Sequence, residues 1–181
     1  MTDSIILSAN KLVKRLGTRD PFQLSEKLGV IVRFTSLYRI FDNFHDVVKQ
    51  LCTRHDNRPT LSIDDEYDVQ DLLHALLKLY FKDIRDEEPV PNFAGASARI
   101  DFLLKNEQIG IEVKNKRDSM TRKKLGNELI EDIARYKSHP DCEKLVCFVY
   151  DPEGLLGNPI GLMNDLNSQN EGFAEVIIRP I

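Results

Sequence analysis

Two carboxylates and a lysine occur at a spacing that suits phosphodiester chemistry. Asp101 lies in one short apolar run, and Glu112 and Lys114 lie in the next. The polar segment between the runs predicts a β-hairpin in which Leu104 pairs with Ile109, so that Asp101 faces Glu112. Because side chains alternate along a strand, Lys114 is expected on the same face of the hairpin as the two acids.

Two acids that face each other across a hairpin repel, which destabilises the strand pair. A divalent cation between them would relieve this repulsion, because hard cations bind carboxylate oxygens. The ammonium of Lys114 would lie over the same site, where it can orient a water or stabilise the charge that develops on a phosphate. Asp101, Glu112 and Lys114 therefore predict metal-dependent cleavage of phosphodiester bonds.

A Glu-x-Lys sequence alone is ordinarily a solvated ion pair on a strand, and such pairs contribute little to stability. The register of Asp101, the apolar flanks and the basic cluster that follows favour a functional site over that interpretation. Against a single acid, Asp118, the cluster contains Lys114, Lys116, Arg117, Arg122, Lys123 and Lys124. Apart from Lys114, these residues are predicted to contact nucleic-acid phosphates, with plain solvated charge as the alternative.

A helix predicted over residues 66–81 has its apolar stripe directed at the core. At about 100° per residue, Glu66 falls within the stripe and Gln70 at its margin, whereas Asp68 and Asp71 lie on the opposite side. Glu66 is thus the acid of this helix best aimed at the sheet. A first-turn acid is also favoured by the helix dipole, so catalysis and helix stabilisation stay open for it.

The helix predicted over residues 121–137 follows the basic cluster. It directs four residues inward, namely Leu125, Leu129, Ile133 and Tyr136. Glu128 and Asp132 lie on one flank, where contact with a metal-bound water competes with ordinary solvation. A solvated flank is the favoured interpretation, because exposed charges are common on helices.

Residues 1–38 predict a small N-terminal appendage of helix, turn, helix and strand. Its elements are a helix over Ala9–Leu16, a second helix from Pro21 to Leu28 that Gly29 closes, and a strand over Val30–Phe34. The segment KLVKRLGTRDPFQLSEKLGVIV resembles the leading part of ImmA/IrrE-type metallopeptidases. The HExxH helix that holds their zinc is missing, so peptidase activity does not carry over.

Residues 39–181 predict the domain that carries the site. Helices and strands alternate there, which predicts an α/β fold with three layers and a small mixed sheet. The predicted elements are helices over 41–52 and 66–81, a loop with Pro89, Pro91 and Gly95, strands over 99–104 and 109–114, a helix over 121–137, a strand over 145–150, a short helix near 161–166 and a strand over 174–178.

The composition indicates one globular domain with, at most, a small appendage. Apolar residues make up 41% of the 181 residues and charged residues 30%, and we expect a cytoplasmic protein without membrane spans or a secretory signal. The net charge of −4 argues against a protein that coats nucleic acid but leaves room for an enzyme with a local basic patch. No zinc site is expected, because Cys52, Cys142 and Cys147 form no CxxC pair and His45, His55, His74 and His139 form no HExxH.

An acid on a strand, Glu-x-Lys on the next strand and an acid on a preceding helix resemble the PD-(D/E)XK nuclease superfamily. The blocks EYDVQDLLHALL, FAGASARIDFLL, IEVK and DIARYKSHPDCEKLVCFVYDPEG resemble, more narrowly, the DpnII/MboI-like restriction endonuclease domain. This resemblance covers residues 41–166. One departure is that Arg99 and Ile100, rather than a proline, precede Asp101.

The resemblance implies a restriction-endonuclease-like α/β/α core and a Mg²⁺-dependent endonuclease, with Mn²⁺ as a substitute ion. Asp101 and Glu112 would be the metal ligands, Lys114 would act on the attacking water, and Glu66 with Gln70 would support the site from the helix. The implied substrate is DNA, with double strands favoured, and the implied setting is bacterial restriction or anti-phage defence. The alternative hypothesis is a catalytically silent nuclease-like module that binds nucleic acid or a partner protein.

Two further expectations concern partners. Cleavage of both strands of a duplex calls for two sites related by symmetry, which predicts a homodimer or larger oligomer. The N-terminal appendage is a candidate contact for a regulatory partner.

Overall fold

The computed structural model describes residues 14–15, 17, 21–93, 96–117, 119–170 and 172–181. The chain divides into two compact units, Met1–Tyr38 and Arg39–Ile181. The helix predicted over Ala9–Leu16 lies outside the described residues except for Lys14 and Arg15, which are helical. All side chains discussed below belong to the second unit.

One long helix, α1 (Pro21–Cys52), takes the place of three predicted elements. The helix predicted from Pro21 is confirmed, but it does not end at Gly29. The strand predicted over Val30–Phe34 is wrong, because this segment is helical. β-Branched residues disfavour a helix by only about half a kcal/mol each, and helical turns on either side can outweigh that preference.

The second unit contains a five-stranded mixed sheet in the order β1-β2-β3-β4-β5. The strands are β1 (Ile84–Phe93), β2 (Ala96–Leu104), β3 (Ile109–Asn115), β4 (Lys144–Tyr150) and β5 (Ala174–Arg179). Pairs β1–β2 and β2–β3 are antiparallel, whereas β3–β4 and β4–β5 are parallel. The hairpin and the two parallel strands are therefore confirmed, in a small mixed sheet.

Strand β1 replaces the predicted loop around Pro89 and Pro91, so that prediction is wrong. Both prolines lie in β1, and Pro89 pairs with Arg99 of β2. Proline is tolerated on an edge strand, because its missing N–H can face away from the neighbouring strand. β1 is such an edge. Gly95, the third residue of the predicted loop, lies outside the described residues.

The other helices of this unit occur at the expected positions along the chain. They are α2 (Glu66–Leu77), α3 (Arg122–Tyr136) and α4 (Pro159–Gln169), with a short 3₁₀ turn at His55–Asn57. Helix α2 ends at Leu77 rather than at residue 81, and exposed turn residues follow it. No described helix is long and apolar enough to cross a membrane.

The two faces of β4 show how the layers pack. Phe148 stacks on Phe41 of α1 with ring centroids 4.7 Å apart. Cys147 and Val149 belong instead to the apolar cluster that includes residues of α3 and α4. Side chains of a strand alternate between faces, so helices cover both sides of the sheet. This is the three-layer α/β/α arrangement of a restriction-endonuclease-like fold.

Candidate active site

The hairpin β2–β3 has the register that its sequence predicts. Leu104 pairs with Ile109, and Phe102 pairs with Ile111. One residue further, the Asp101 side chain joins the strands, because its Oδ2 accepts a hydrogen bond from the N–H of Val113 at 2.7 Å. Asp101 therefore has one oxygen anchored to the backbone of the strand that carries Glu112.

Glu112 is buried, with 4% of its surface exposed. Its Oε1 accepts a hydrogen bond from Lys114 Nζ at 2.5 Å, and its Oε2 accepts one from the Tyr136 hydroxyl at 2.8 Å. Tyr136 reaches the site from the last turn of α3. Both oxygens of Glu112 are thus held by side chains that the strand and the helix supply.

Lys114 lies between two carboxylates. Besides its bond to Glu112, its Nζ is 3.2 Å from Oδ2 of Asp132. Asp132 is 8% exposed, so the interpretation of this residue as part of a solvated flank is wrong. Glu128, one turn earlier, is 3.9 Å from Lys124 Nζ and keeps the partly solvated character predicted for that flank.

The pKa values of Asp101, Glu112 and Lys114 differ from those of an ordinary exposed ion pair. Burial raises the pKa of Asp101 to about 7, although the Val113 N–H opposes that rise. Burial and the charge of Asp101 raise the pKa of Glu112 above its usual range against the pull of Lys114. For Lys114, burial lowers the pKa, but Glu112 and Asp132 outweigh it and raise the pKa. Without a bound cation, the lysine favours the ammonium form, whereas ionisation of Asp101 and Glu112 together is unfavourable.

The acid of α2 also reaches the sheet. Glu66 Oε2 accepts a hydrogen bond from the N–H of Asn115 at 3.2 Å. The N-cap of this helix is Asp65, whose side chain accepts from the N–H groups of Tyr67 and Asp68. Since Asp65 caps the helix, Glu66 is available to the end of β3, next to Lys114.

A cavity of about 260 Å³ opens beside Asp101. Gln70 lines it, in keeping with a position at the margin of the α2 stripe. The other lining residues are Tyr67, Asp71, His74, Asp86, Glu87 and Phe102. Asp71 therefore faces the cavity, although its angular position points away from the core.

Glu87 in β1 is an acid that the sequence gives no reason to single out, because its segment is predicted as a loop. It lies between two register pairs, Asp86 with Phe102 and Glu88 with Ile100, which brings it across from Asp101. Its φ is 51°, in the left-handed region that disfavours residues with a side chain. Its charge adds to the influences that raise the pKa of Asp101.

The predicted phosphate contacts separate into two groups. Lys116 is 7% exposed, and its Nζ donates a hydrogen bond to the Arg117 carbonyl at 2.6 Å. The structure thus contradicts the prediction that Lys116 faces a phosphate, because a buried ammonium bound to the backbone is not presented to a ligand. Four basic side chains remain exposed, those of Arg117, Arg122, Lys123 and Lys124.

The acids of the site suit a divalent cation in number and in kind. Within the described part of the chain, no three acids, histidines or cysteines form a ready-made metal cage. Mg²⁺ does not require one, because it usually keeps several waters and takes one or two protein carboxylates together with substrate phosphate. Asp101, which is half-buried, and Glu112, which is buried, repel each other and fit that requirement.

The angular count used for Glu66 also identifies Asp132. Along α3, Asp132 lies about 20° from Leu125, within reach of the apolar stripe. Helical periodicity therefore predicts that Asp132 is buried. Its contact with Lys114, in contrast, depends on how α3 packs on β3. Tyr136 is correctly predicted to point inward, but nothing local reveals that its hydroxyl meets Glu112.

Comparison with known proteins gives one match. A family model described as REase_DpnII-MboI, which represents restriction endonucleases, matches residues 35–181. No curated protein and no solved structure matches the chain. The matched range contains all the strands and every residue of the site described above.

Proposed function

This chain belongs to the DpnII-MboI restriction endonuclease family, and we propose that it hydrolyses DNA phosphodiester bonds with a Mg²⁺ ion held by Asp101 and Glu112. The observation that carries this proposal is the cluster of buried acids around one ammonium. Glu112 is 4% exposed and bound to Lys114, and its pKa is raised by burial and by Asp101. Two such carboxyl groups ionise together readily only when a cation shares their charge.

When bound, the ion would supply Lewis acidity and lower the pKa of a coordinated water. Lys114 contributes hydrogen-bond donors, because its pKa is raised by Glu112 and Asp132 despite burial. Held as an ammonium by these acids, Lys114 can orient the attacking water and stabilise charge on the phosphate. From α2, Glu66 contacts the end of β3 beside Lys114 and Gln70 lines the cavity beside Asp101, where they would support the orientation of water and substrate.

The exposed basic residues provide the contact with the DNA backbone. Arg117, Arg122, Lys123 and Lys124 lie between the end of β3 and the first turn of α3. Basic side chains near a phosphodiester site position the duplex without reading its sequence. The net charge of −4 then keeps unspecific binding weak outside this patch.

Membership of a restriction endonuclease family supports double-stranded DNA as the substrate and restriction or antiviral defence as the setting. Cleavage of both strands would be served by a homodimer, in which symmetry presents one site to each strand. These finer assignments rest on the family and on general duplex geometry.

The proposal is tested by incubating the purified protein with supercoiled and linear plasmid DNA in Mg²⁺, Mn²⁺ or EDTA. We expect cleavage with either metal and none with EDTA. Asp101→Ala and Lys114→Ala should abolish it while circular dichroism and the melting temperature show a folded protein. Glu131→Gln, an exposed acid on α3, serves as the matched control.

A folded wild type that cleaves neither DNA nor RNA with any divalent metal would contradict the proposal. That result would favour the silent module that binds nucleic acid or a partner. Cleavage that persists in both Asp101→Ala and Lys114→Ala would place the active site elsewhere.

A further inference from the structure

Two buried polar residues of α3, Asp132 and Tyr136, contact the side chains of the active site. Asp132 and Tyr136 are four residues apart, which places them on one face of the helix. They are 8% and 3% exposed, and the rest of that face is aliphatic. A buried carboxylate or hydroxyl needs a hydrogen-bond partner to offset its desolvation. The groups that Asp132 and Tyr136 bind therefore indicate what the two residues do.

The partners are the two active-site residues of β3. Asp132 Oδ2 lies 3.2 Å from Lys114 Nζ, and the Tyr136 hydroxyl donates to Glu112 Oε2 at 2.8 Å. Together with the bond between Lys114 and Glu112, these contacts form a closed frame between helix and strand. Each active-site side chain is held by its neighbour on β3 and by one residue of α3.

Asp132 attracts Lys114, whose pKa it raises, but it also repels the buried Glu112. Its charge is among those that raise the pKa of Glu112, so it adds a third carboxylate to a buried group that already contains Asp101 and Glu112. A leucine at this position would complete the aliphatic face without that repulsion. Arg135 offsets part of the charge, but its Nη1 is 3.7 Å from Asp132 Oδ1. Fold stability alone therefore does not account for an acid here.

The hydroxyl of Tyr136 has a second acceptor. Its oxygen is 2.8 Å from the backbone carbonyl of Arg99 as well as from Glu112. One hydroxyl proton serves one acceptor at a time, so the group can turn to the carbonyl when Glu112 Oε2 takes another partner. A phenylalanine would fill the same space but would leave Glu112 without its donor from α3.

We propose that Asp132 and Tyr136 are positioning residues of this active site, in which Asp132 fixes the Lys114 ammonium and Tyr136 fixes the Glu112 carboxylate. The proposal rests on the endonuclease function proposed above. Groups that orient metal ligands and catalytic side chains typically contribute about 10- to 100-fold in metal affinity or activity. Neither residue touches substrate or reacting atoms in this role.

The test compares Asp132→Asn, Tyr136→Phe and the control Glu131→Gln with the wild type. With Mg²⁺ at saturation, Asp132→Asn should lower kcat for DNA cleavage about 10- to 100-fold with KM unchanged within about twofold. Its melting temperature should stay within about 4 °C of that of the wild type, because the amide oxygen can still accept a hydrogen bond from Lys114 while the repulsion of Glu112 is relieved. Tyr136→Phe should raise the Mg²⁺ dissociation constant about tenfold in calorimetry of the protein without DNA.

Three results separate the outcomes. Wild-type kcat in Asp132→Asn together with wild-type Mg²⁺ affinity in Tyr136→Phe would overturn the positioning roles. Parallel loss of melting temperature and activity in both variants would also overturn them, since it marks a structural contribution. A wild type that binds Mg²⁺ tenfold more tightly than Tyr136→Phe yet cleaves no nucleic acid would support positioning of Glu112 while the proposed endonuclease function fails.

Discussion

Two buried carboxylates on neighbouring parallel strands, one in the middle of β3 and one directly after β4, are held in opposite ways. Asp151, directly after β4, is 2% exposed, and its two oxygens accept hydrogen bonds from the N–H groups of Leu155 and Leu156, each at 2.9 Å. Glu112 in β3 is buried to a similar extent, but side chains hold both of its oxygens, and Asp101 raises its pKa.

We infer from this difference that Asp151 stabilises the fold, whereas Glu112 belongs to a functional site. Backbone N–H groups provide donors for both oxygens of Asp151 and fix the loop that follows β4. The Glu112 carboxylate shares its surroundings with Asp101 and Asp132, and its direct cationic partner is Lys114. Side-chain partners can rearrange when a cation or a substrate arrives, whereas the backbone partners of Asp151 cannot. Substitutions at the two sites should therefore have opposite consequences.

The largest expected effect is on activity, from Glu112→Gln. The amide keeps the shape of the side chain but removes the negative charge that would bind the metal. We expect the cleavage rate to fall about 10³-fold, equivalent to ~4 kcal/mol of activation free energy, with the fold intact. Single-turnover cleavage of a plasmid measures this loss. A rate within tenfold of the wild type would remove Glu112 from the metal site.

Asp151→Ala should reverse that outcome. Two buried N–H groups would lose their acceptor, which should lower the free energy of unfolding by ~3 kcal/mol. Urea unfolding followed by circular dichroism measures the change. The variant that remains folded should keep its cleavage rate at low temperature. Unchanged stability, or loss of activity in the folded variant, would contradict the distinction between the two sites.

Asp101→Asn should stabilise the metal-free protein in a pH-dependent way. The pKa of Asp101 rises from its ordinary value of 3.8 to about 7 in the fold, so the folded state retains a proton that the unfolded chain releases between these values. Stability of the wild type therefore falls as the pH rises through this window, by at most ~4 kcal/mol.

The asparagine has no such proton to lose, so its advantage should grow from pH 4 to pH 8. We expect a gain of ~2 kcal/mol at pH 8, below the stated limit, and almost none at pH 4. Thermal unfolding in EDTA at both pH values checks the prediction. A variant less stable than the wild type at pH 8 would show that the ionised carboxylate of Asp101 does not destabilise the fold.

The smallest effect should come from the basic residues of α3. Arg122→Ala with Lys123→Ala removes two exposed charges and should weaken DNA binding by ~1 kcal/mol or less for each. The slope of log affinity against log salt should become shallower by about 1.8, at about 0.9 for each lost phosphate contact. Binding is measured in EDTA, and Lys137→Ala at the other end of α3 serves as the control. An unchanged slope would exclude this turn from the DNA interface.

Local pattern predicts most of the layered fold and the central hairpin of the site. The register from Leu104 with Ile109 follows from alternation and a short loop, and Glu66 follows from helical periodicity. Helix α1 through Val30–Phe34 and strand β1 through two prolines do not follow from pattern, because neighbouring structure overrides weak local preferences there.

For Asp132 and Tyr136, the sequence predicts the position on the helix but not the contacts. Periodicity places both on the inner face of α3, but the sequence does not state which strand that face meets. Lys116 shows a similar limit, since the sequence does not reveal that its side chain is buried and that its ammonium binds the carbonyl of the adjacent Arg117. Side chains that act across elements thus require the packed structure.

The proposed active site requires that Asp101 and Glu112 together bind one divalent ion. Calorimetric titration of Mg²⁺ into the wild type, Glu112→Gln and Glu131→Gln at pH 8 measures this without DNA. We predict one ion per chain for the wild type and for Glu131→Gln, and no detectable binding for Glu112→Gln. Equal binding by Glu112→Gln and the wild type, or no binding by the wild type, would contradict the assignment of Asp101 and Glu112 as metal ligands.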